Sequence, residues 1–134
     1  MNKILILVSI LIVSPLSSAR ELIYEGYPMR MIQIDESGSQ TTLLNAPQSV
    51  DYKVRIEEKD GNYFWASRGD VELIPSRSGF YITYISVTGS GYIRVLAPEA
   101  RTIFKELPAE DQAKQFLYFE HLVHQMGSIT YHGR

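Results

Sequence analysis

Between Val50 and Glu57 the chain reads VDYKVRIE, and its apolar and polar positions alternate without a break. Val50, Tyr52, Val54 and Ile56 fall on one side, and Asp51, Lys53, Arg55 and Glu57 on the other. That is the period of two of a strand with one face in the core and one in water. Asp60-Gly61 follows, the residue pair suited to a two-residue type I′ turn, where both central positions need φ > 0. A turn centred there pairs Ile56 with Trp65 and Glu58 with Tyr63, so the apolar face continues into YFWAS. Arg68-Gly69-Asp70 then turns the chain into VELIP, and Ser76-Arg77-Ser78-Gly79 turns it into FYITYISV. Five short strands joined by polar corners are therefore predicted between Val50 and Leu96.

The last corner, Gly89-Ser90-Gly91, resembles a phosphate-cradling loop until its surroundings are read. Such a cradle needs a helix to begin directly after the glycines, and here a second strand-like run, YIRVL, follows instead. With Gly89-Ser90 as a two-residue loop, Thr88 pairs with Gly91, Val87 with Tyr92, Ile85 with Arg94 and Thr83 with Leu96. Phe80, Ile82, Tyr84, Ile93 and Val95 then share a core face. Tyr81, Thr83, Ile85, Val87, Tyr92 and Arg94 share the opposite one, because a slip by one residue would exchange the faces.

The flanks are less regular. ELIYEGYPMRMIQID, from Glu21 to Asp35, reads as two weak strands or one broken at Gly26 and Pro28, and ESGSQ reads as a turn. After Leu96 the period changes. Pro98 suits a first helical position, with Ala100, Ile103, Phe104 and Leu107 at helical spacing. Pro108 suits the start of a second, longer helix through Met126, with Glu110 and Asp111 in its first turn, Phe116, Phe119, Val123 and Met126 as its stripe, and Gly127 as its stop. SITYHGR alternates like an edge strand, whose unpaired backbone would offer a route to a homodimer. The expected fold is α+β: an antiparallel meander of five to seven strands with a short helix and one long C-terminal helix packed on it.

The first residues change the setting. Lys3, an apolar run from Ile4 to Val13, Pro15 and the small residues Ser17-Ser18-Ala19 form the three parts of a secretory signal peptide ending at Ala19. The run falls well short of the about 20 residues that span a hydrocarbon core, which favours cleavage over a retained anchor. The expected mature protein is a single domain, residues 20–134, periplasmic or secreted and without a stable membrane anchor. Cysteine is absent, so neither disulfides nor a lipid on a cysteine enter. With 13 basic against 15 acidic residues, the basic face that a nucleic acid requires is missing.

Few residues suggest chemistry. Tyr81, Tyr92 and Arg94, flanked by Ile85 and Val87, give the outer hairpin face the aromatic, cationic and aliphatic mixture of interaction hot spots. That face is either covered by another part of the chain, as buried tyrosines often are, or a contact surface for an envelope or extracellular protein or glycan. On the expected helix, Glu120, His121 and His124 share one side, and His132 is placed to join them, a set able to hold zinc with an open position. The order E-H-x-x-H differs from the zinc-hydrolase arrangements H-E-x-x-H and H-x-x-E-H, and a surface Glu120–His124 pair is the plainer reading. Arg68-Gly69-Asp70 spells an adhesion tripeptide but is also ordinary turn chemistry. Ser90 has no glycine two residues before it, so the G-x-S-x-G elbow is missing. The reading that follows is a small exported, non-enzymatic binding module needing no cofactor, with a metal-assisted hydrolase at His121, His124 and His132 as the alternative.

Overall fold

A computed structural model describes residues 19–134; the expected leader falls, but for Ala19, outside the described residues. Ten strands form one antiparallel sheet. They are β1 (Glu21–Gly26), β2 (Pro28–Asp35), β3 (Gly38–Leu43), β4 (Val54–Lys59), β5 (Asn62–Trp65), β6 (Val71–Ser78), β7 (Tyr81–Ser86), β8 (Gly91–Leu96), β9 (Tyr118–His124) and β10 (Gly127–Gly133). Among the described residues three short helices accompany them: α1 (Ala46–Asp51), α2 (Pro98–Lys105) and α3 (Ala109–Gln112). The protein is thus mainly β, and the expected α+β fold with a long C-terminal helix is incorrect.

The sheet order is β1-β4-β5-β6-β7-β8-β9-β10-β2-β3. Its two ends are joined by the chain itself, because β1 and β2 are separated by Tyr27 alone. The first half of this bent strand pairs with β4 and the second half with β10. Tyr27 and Arg134 exchange backbone hydrogen bonds at 2.7 and 3.2 Å where the halves meet. The ribbon therefore curls into a barrel-like body, and residues from distant strands meet inside it. Tyr24 of β1 packs edge-on to Tyr118 of β9 at 5.7 Å between ring centroids. Val54, Ile56, Trp65, Leu73, Ile93 and Val95 belong to the same buried cluster. The α2 helix covers one end with Ala100 and Phe104 and is tied to β6 by an Arg77–Glu99 ion pair.

The segment expected as the long helix holds the largest correction. Only Ala109–Gln112 is helical, and Tyr118–His124 is a strand paired on both sides. Tyr118, Glu120 and Leu122 point inward, opposite Val95, Ile93 and Gly91, while Phe119, His121 and Val123 point outward. A period of two was present in YFEHLVH, but its inward set contains a glutamate, which hides it from a hydrophobicity reading. Glu120 is wholly buried. Its carboxylate accepts hydrogen bonds from Trp65 Nε1 and Arg68 Nη2, each at 2.7 Å. Burial pushes its pKa up, and the Arg68 guanidinium opposes that shift.

Other expectations meet the structure unevenly. The turn at Asp60-Gly61 has φ of 54° and 82°, and Ile56 pairs with Trp65 and Glu58 with Tyr63 as the turn chemistry requires. Val50 and Asp51, read as strand, lie in α1, which Asn45 and Gln48 close with a reciprocal capping box. In the next hairpin the pairs are Ile85–Tyr92, Thr83–Arg94 and Tyr81–Leu96, two residues from the predicted register. A shift of two preserves the faces. The loop is longer because the Ser86 hydroxyl folds back onto Ser90 N at 2.8 Å and Gly89 N reaches Ser86 O at 3.2 Å. Phe80, expected in the core, is 63% exposed. The C-terminal strand β10 lies between β9 and β2, so it is not the edge through which a homodimer was expected.

Gly91 sits at φ 151°, and a Cβ there would strike the His121 carbonyl oxygen, whereas Gly89, at φ 74°, faces open space. Gly91→Ala is expected to push β8 off β9 and cost several times the about 1 kcal/mol expected for Gly89→Ala, which suffers only backbone strain. Urea unfolding of the two variants measures the contrast. Replacing Glu120 by Gln leaves Arg68 without its charge partner and is expected to cost about 3 kcal/mol. The double variant Glu120→Gln/Arg68→Met should recover at least half of that loss, and a purely additive result in the same assay would contradict the coupling.

Candidate functional site

The sheet's outer face carries the residues of interest, and the strand pairings align them into rows. One row runs Ile74, Ile85, Tyr92, His121, Thr130 and Ile32 across β6, β7, β8, β9, β10 and β2. Beside it, Thr83, Arg94, Phe119, His132 and Arg30 form a second row over β7 to β2. Neither row contains a carboxylate. Exposed Glu72 lies at the margin, two residues from Ile74 on β6, and on β1 and β4 Arg55 bridges Glu25 and Glu57 at 2.5 Å each. An acidic protein thus presents one face that is cationic, aromatic and aliphatic.

The side chains on this face are held by one another. Tyr92 stacks on His121 at 5.3 Å between ring centroids, and His121 Nδ1 is 2.8 Å from Thr130 Oγ1. Arg94 lies over the Tyr81 ring at 5.8 Å and donates through Nε to Thr83 Oγ1 at 3.4 Å. Arg30 lies over Phe116 at 5.0 Å and donates through Nε to His132 Nδ1 at 3.2 Å, while Phe119 meets the same imidazole edge-on at 4.8 Å. Cations placed over rings are attracted to the ring quadrupole and lose little freedom when a partner arrives. Arg94 and Arg30 have no carboxylate within ion-pair distance among the described residues, unlike Arg20, Arg55, Arg68 and Arg77.

The three predicted contact residues are therefore together on one open face, with Tyr92 39% exposed and Ile85 47% exposed. Beyond Tyr81 the face runs into an apolar cavity of about 260 Å³ between the end of the β7–β8 hairpin and α2, lined by Phe80, Leu96, Ile103 and Phe104 among others. Sequence reasoning missed Arg30, Phe119 and His121 as members of the face, since the expected helix sent β9 elsewhere. The signal that finds them is the alternation Phe119, His121, Val123.

The residues of the alternative metal reading are dispersed. Glu120 points into the interior and His121, its neighbour, out of it. His124 sits at the β9–β10 turn, where its Nδ1 accepts from Met126 N at 3.3 Å, and His132 is engaged by Arg30. No group of three or more His, Asp or Glu side chains able to hold a metal occurs among the described residues. Arg68-Gly69-Asp70 is likewise occupied: Arg68 serves Glu120, Gly69 adopts φ 74° and Asp70 binds Arg20 at 2.5 Å.

No protein-family model, curated protein or solved structure matches the chain, so the site's own geometry carries the functional reading.

Burial, and then Arg30, lower the pKa of His132 below its ordinary value of 6.5. The unfolded chain therefore binds a proton at His132 more readily than the native one just below that pH. Stability is predicted to fall as pH drops from 6.5 through the native pKa. Proton NMR titration should find His132 below 6.5, and Arg30→Gln should raise it part of the way back. A native His132 titrating at or above 6.5 would contradict the assigned environment.

Proposed function

We propose that the protein is a small exported binding module, periplasmic or secreted and non-enzymatic, that takes a protein partner on the outer face of β7, β8 and β9. The observation that carries this reading is the exposed pair of rows through Tyr92 and Arg94, preorganised by Tyr81, Thr83 and His121. Proteins rarely leave so many β-branched and aromatic side chains contiguous in water without a use for them. Ile74, Ile85, Val87 and Val123, each 47% exposed or more, surround the aromatic residues. Aliphatic side chains gain by burial against another apolar surface, which favours a protein over a glycan. Export rests on the leader-like first residues.

Tyr92 and Arg94 lie on the exposed side of β8, so Tyr92→Ala/Arg94→Ala is expected to change unfolding stability by less than about 1 kcal/mol. A photo-crosslinking residue at position 92 should trap a discrete protein adduct in the cell envelope or medium, whereas one at Leu22, also exposed but on β1, should not. Affinity for the trapped partner should fall about 30-fold or more in the double variant. Equal adducts from the two positions, or a double variant that fails to fold, would remove this reading.

A further inference from the structure

The two ends of the sheet differ in how they are protected. The open side of β1 faces α2, with Leu22, Ile23 and Tyr24 lining a cavity shared with Pro98 and Arg101. Among the described residues no element but β2 packs extensively on β3, and all but Thr42 of its residues are exposed. GSQTTL carries no charge, no proline and no bulge against β2, which are the features by which natural edge strands prevent pairing. From this we infer that β3 is a self-association edge, which joins two copies of the chain antiparallel about a two-fold axis at Thr41.

The backbone supports that pairing. Leu44 N donates to Met29 O at 3.0 Å, so by alternation Thr42 and Gln40 hold the hydrogen bonds to β2. Ser39, Thr41 and Leu43 turn their N–H and C=O groups away from β2, toward the open side. Centred on Thr41, the two-fold sets Thr41 against Thr41 and Ser39 against Leu43 of the second copy, which satisfies all three residues in both chains. Leu43, 79% exposed in one copy, is partly covered across the seam. The acidic tip at Asp35 and Glu36 then lies toward the Arg30 end of the other copy, so the charges at the seam complement rather than repel. Thr41 pairs with Ile32, hence the row through Tyr92 and His121 continues across the axis into a second, identical face.

So small a seam gives a weak dimer, in the class of interfaces below about 1,200 Å². Sedimentation equilibrium of the protein from about 10 µM to about 500 µM should show the mass rising from that of one chain toward twice it, as expected for a transient interface. Thr41→Pro removes an N–H that β2 does not use, and Thr41→Lys sets like charges face to face across the axis. Each is expected to weaken the dimer at least tenfold while leaving the circular dichroism unchanged, and the lysine variant carries the test if the proline variant misfolds. A wild-type protein that stays monomeric over this range, or two folded variants that dimerise like the wild type, would overturn the inference.

Discussion

A carboxylate sits at the centre of this protein with no access to water, and the arrangement around it fixes much else. Taking Glu120 out of solvent costs several kcal/mol unless its oxygens are met by donors. Trp65 meets one oxygen and Arg68 the other, at 2.7 Å each. These groups come from β5, from the turn after it and from β9, elements that are not neighbours in the sheet. Only a curled sheet brings them together, and only one of the two alternations of β9 aims Glu120 inward. The same register sends Phe119 and His121 outward, so the interior ion pair sets the composition of the outer face.

The curl depends on one further device. A ten-stranded ribbon without closure leaves two long edges, and this one removes most of the problem by sharing a single bent strand between its ends. The bend at Tyr27 brings Gly26 against the Tyr118 ring, where a side chain would collide. Pro28 follows, fully buried, at a position that needs no sheet donor of its own. Closure thus falls beside the aromatic pair Tyr24 and Tyr118 that fills the interior at that point. What remains open is β3, which extends past the closed body as the second arm of a hairpin.

The sequence reading succeeded where a local rule had no competitor. Asp60-Gly61 admits few turns, and the pairs Ile56–Trp65 and Glu58–Tyr63 follow from it. At Gly89 the glycine was informative about the corner but not its length, because Ser86, Thr88 and Ser90 bind one another's hydroxyls and enlarge the loop. The face assignments survived, since hydrophobic alternation is insensitive to a shift of two. They failed at Phe80, which lies before β7 begins and faces the α2 cavity instead. Tyr81, Tyr92 and Arg94 were legible as a set for the same reason that the face was.

The long helix failed for an instructive reason. Phe116, Phe119, Val123 and Met126 do lie at helical spacing, but two of the four, Phe119 and Val123, also fit a strand that turns them outward. On β9 the usual distribution is inverted in part: a glutamate joins Tyr118 and Leu122 toward the core, and phenylalanine and valine face the outside. Each half of that inversion requires a partner that the segment does not contain. The inward half is satisfied by Trp65 and Arg68, more than fifty residues earlier in the chain. The outward half sets Phe119 against Phe116 and His132 and leaves Val123 exposed, so no local hydrophobicity rule reads this strand from its own residues.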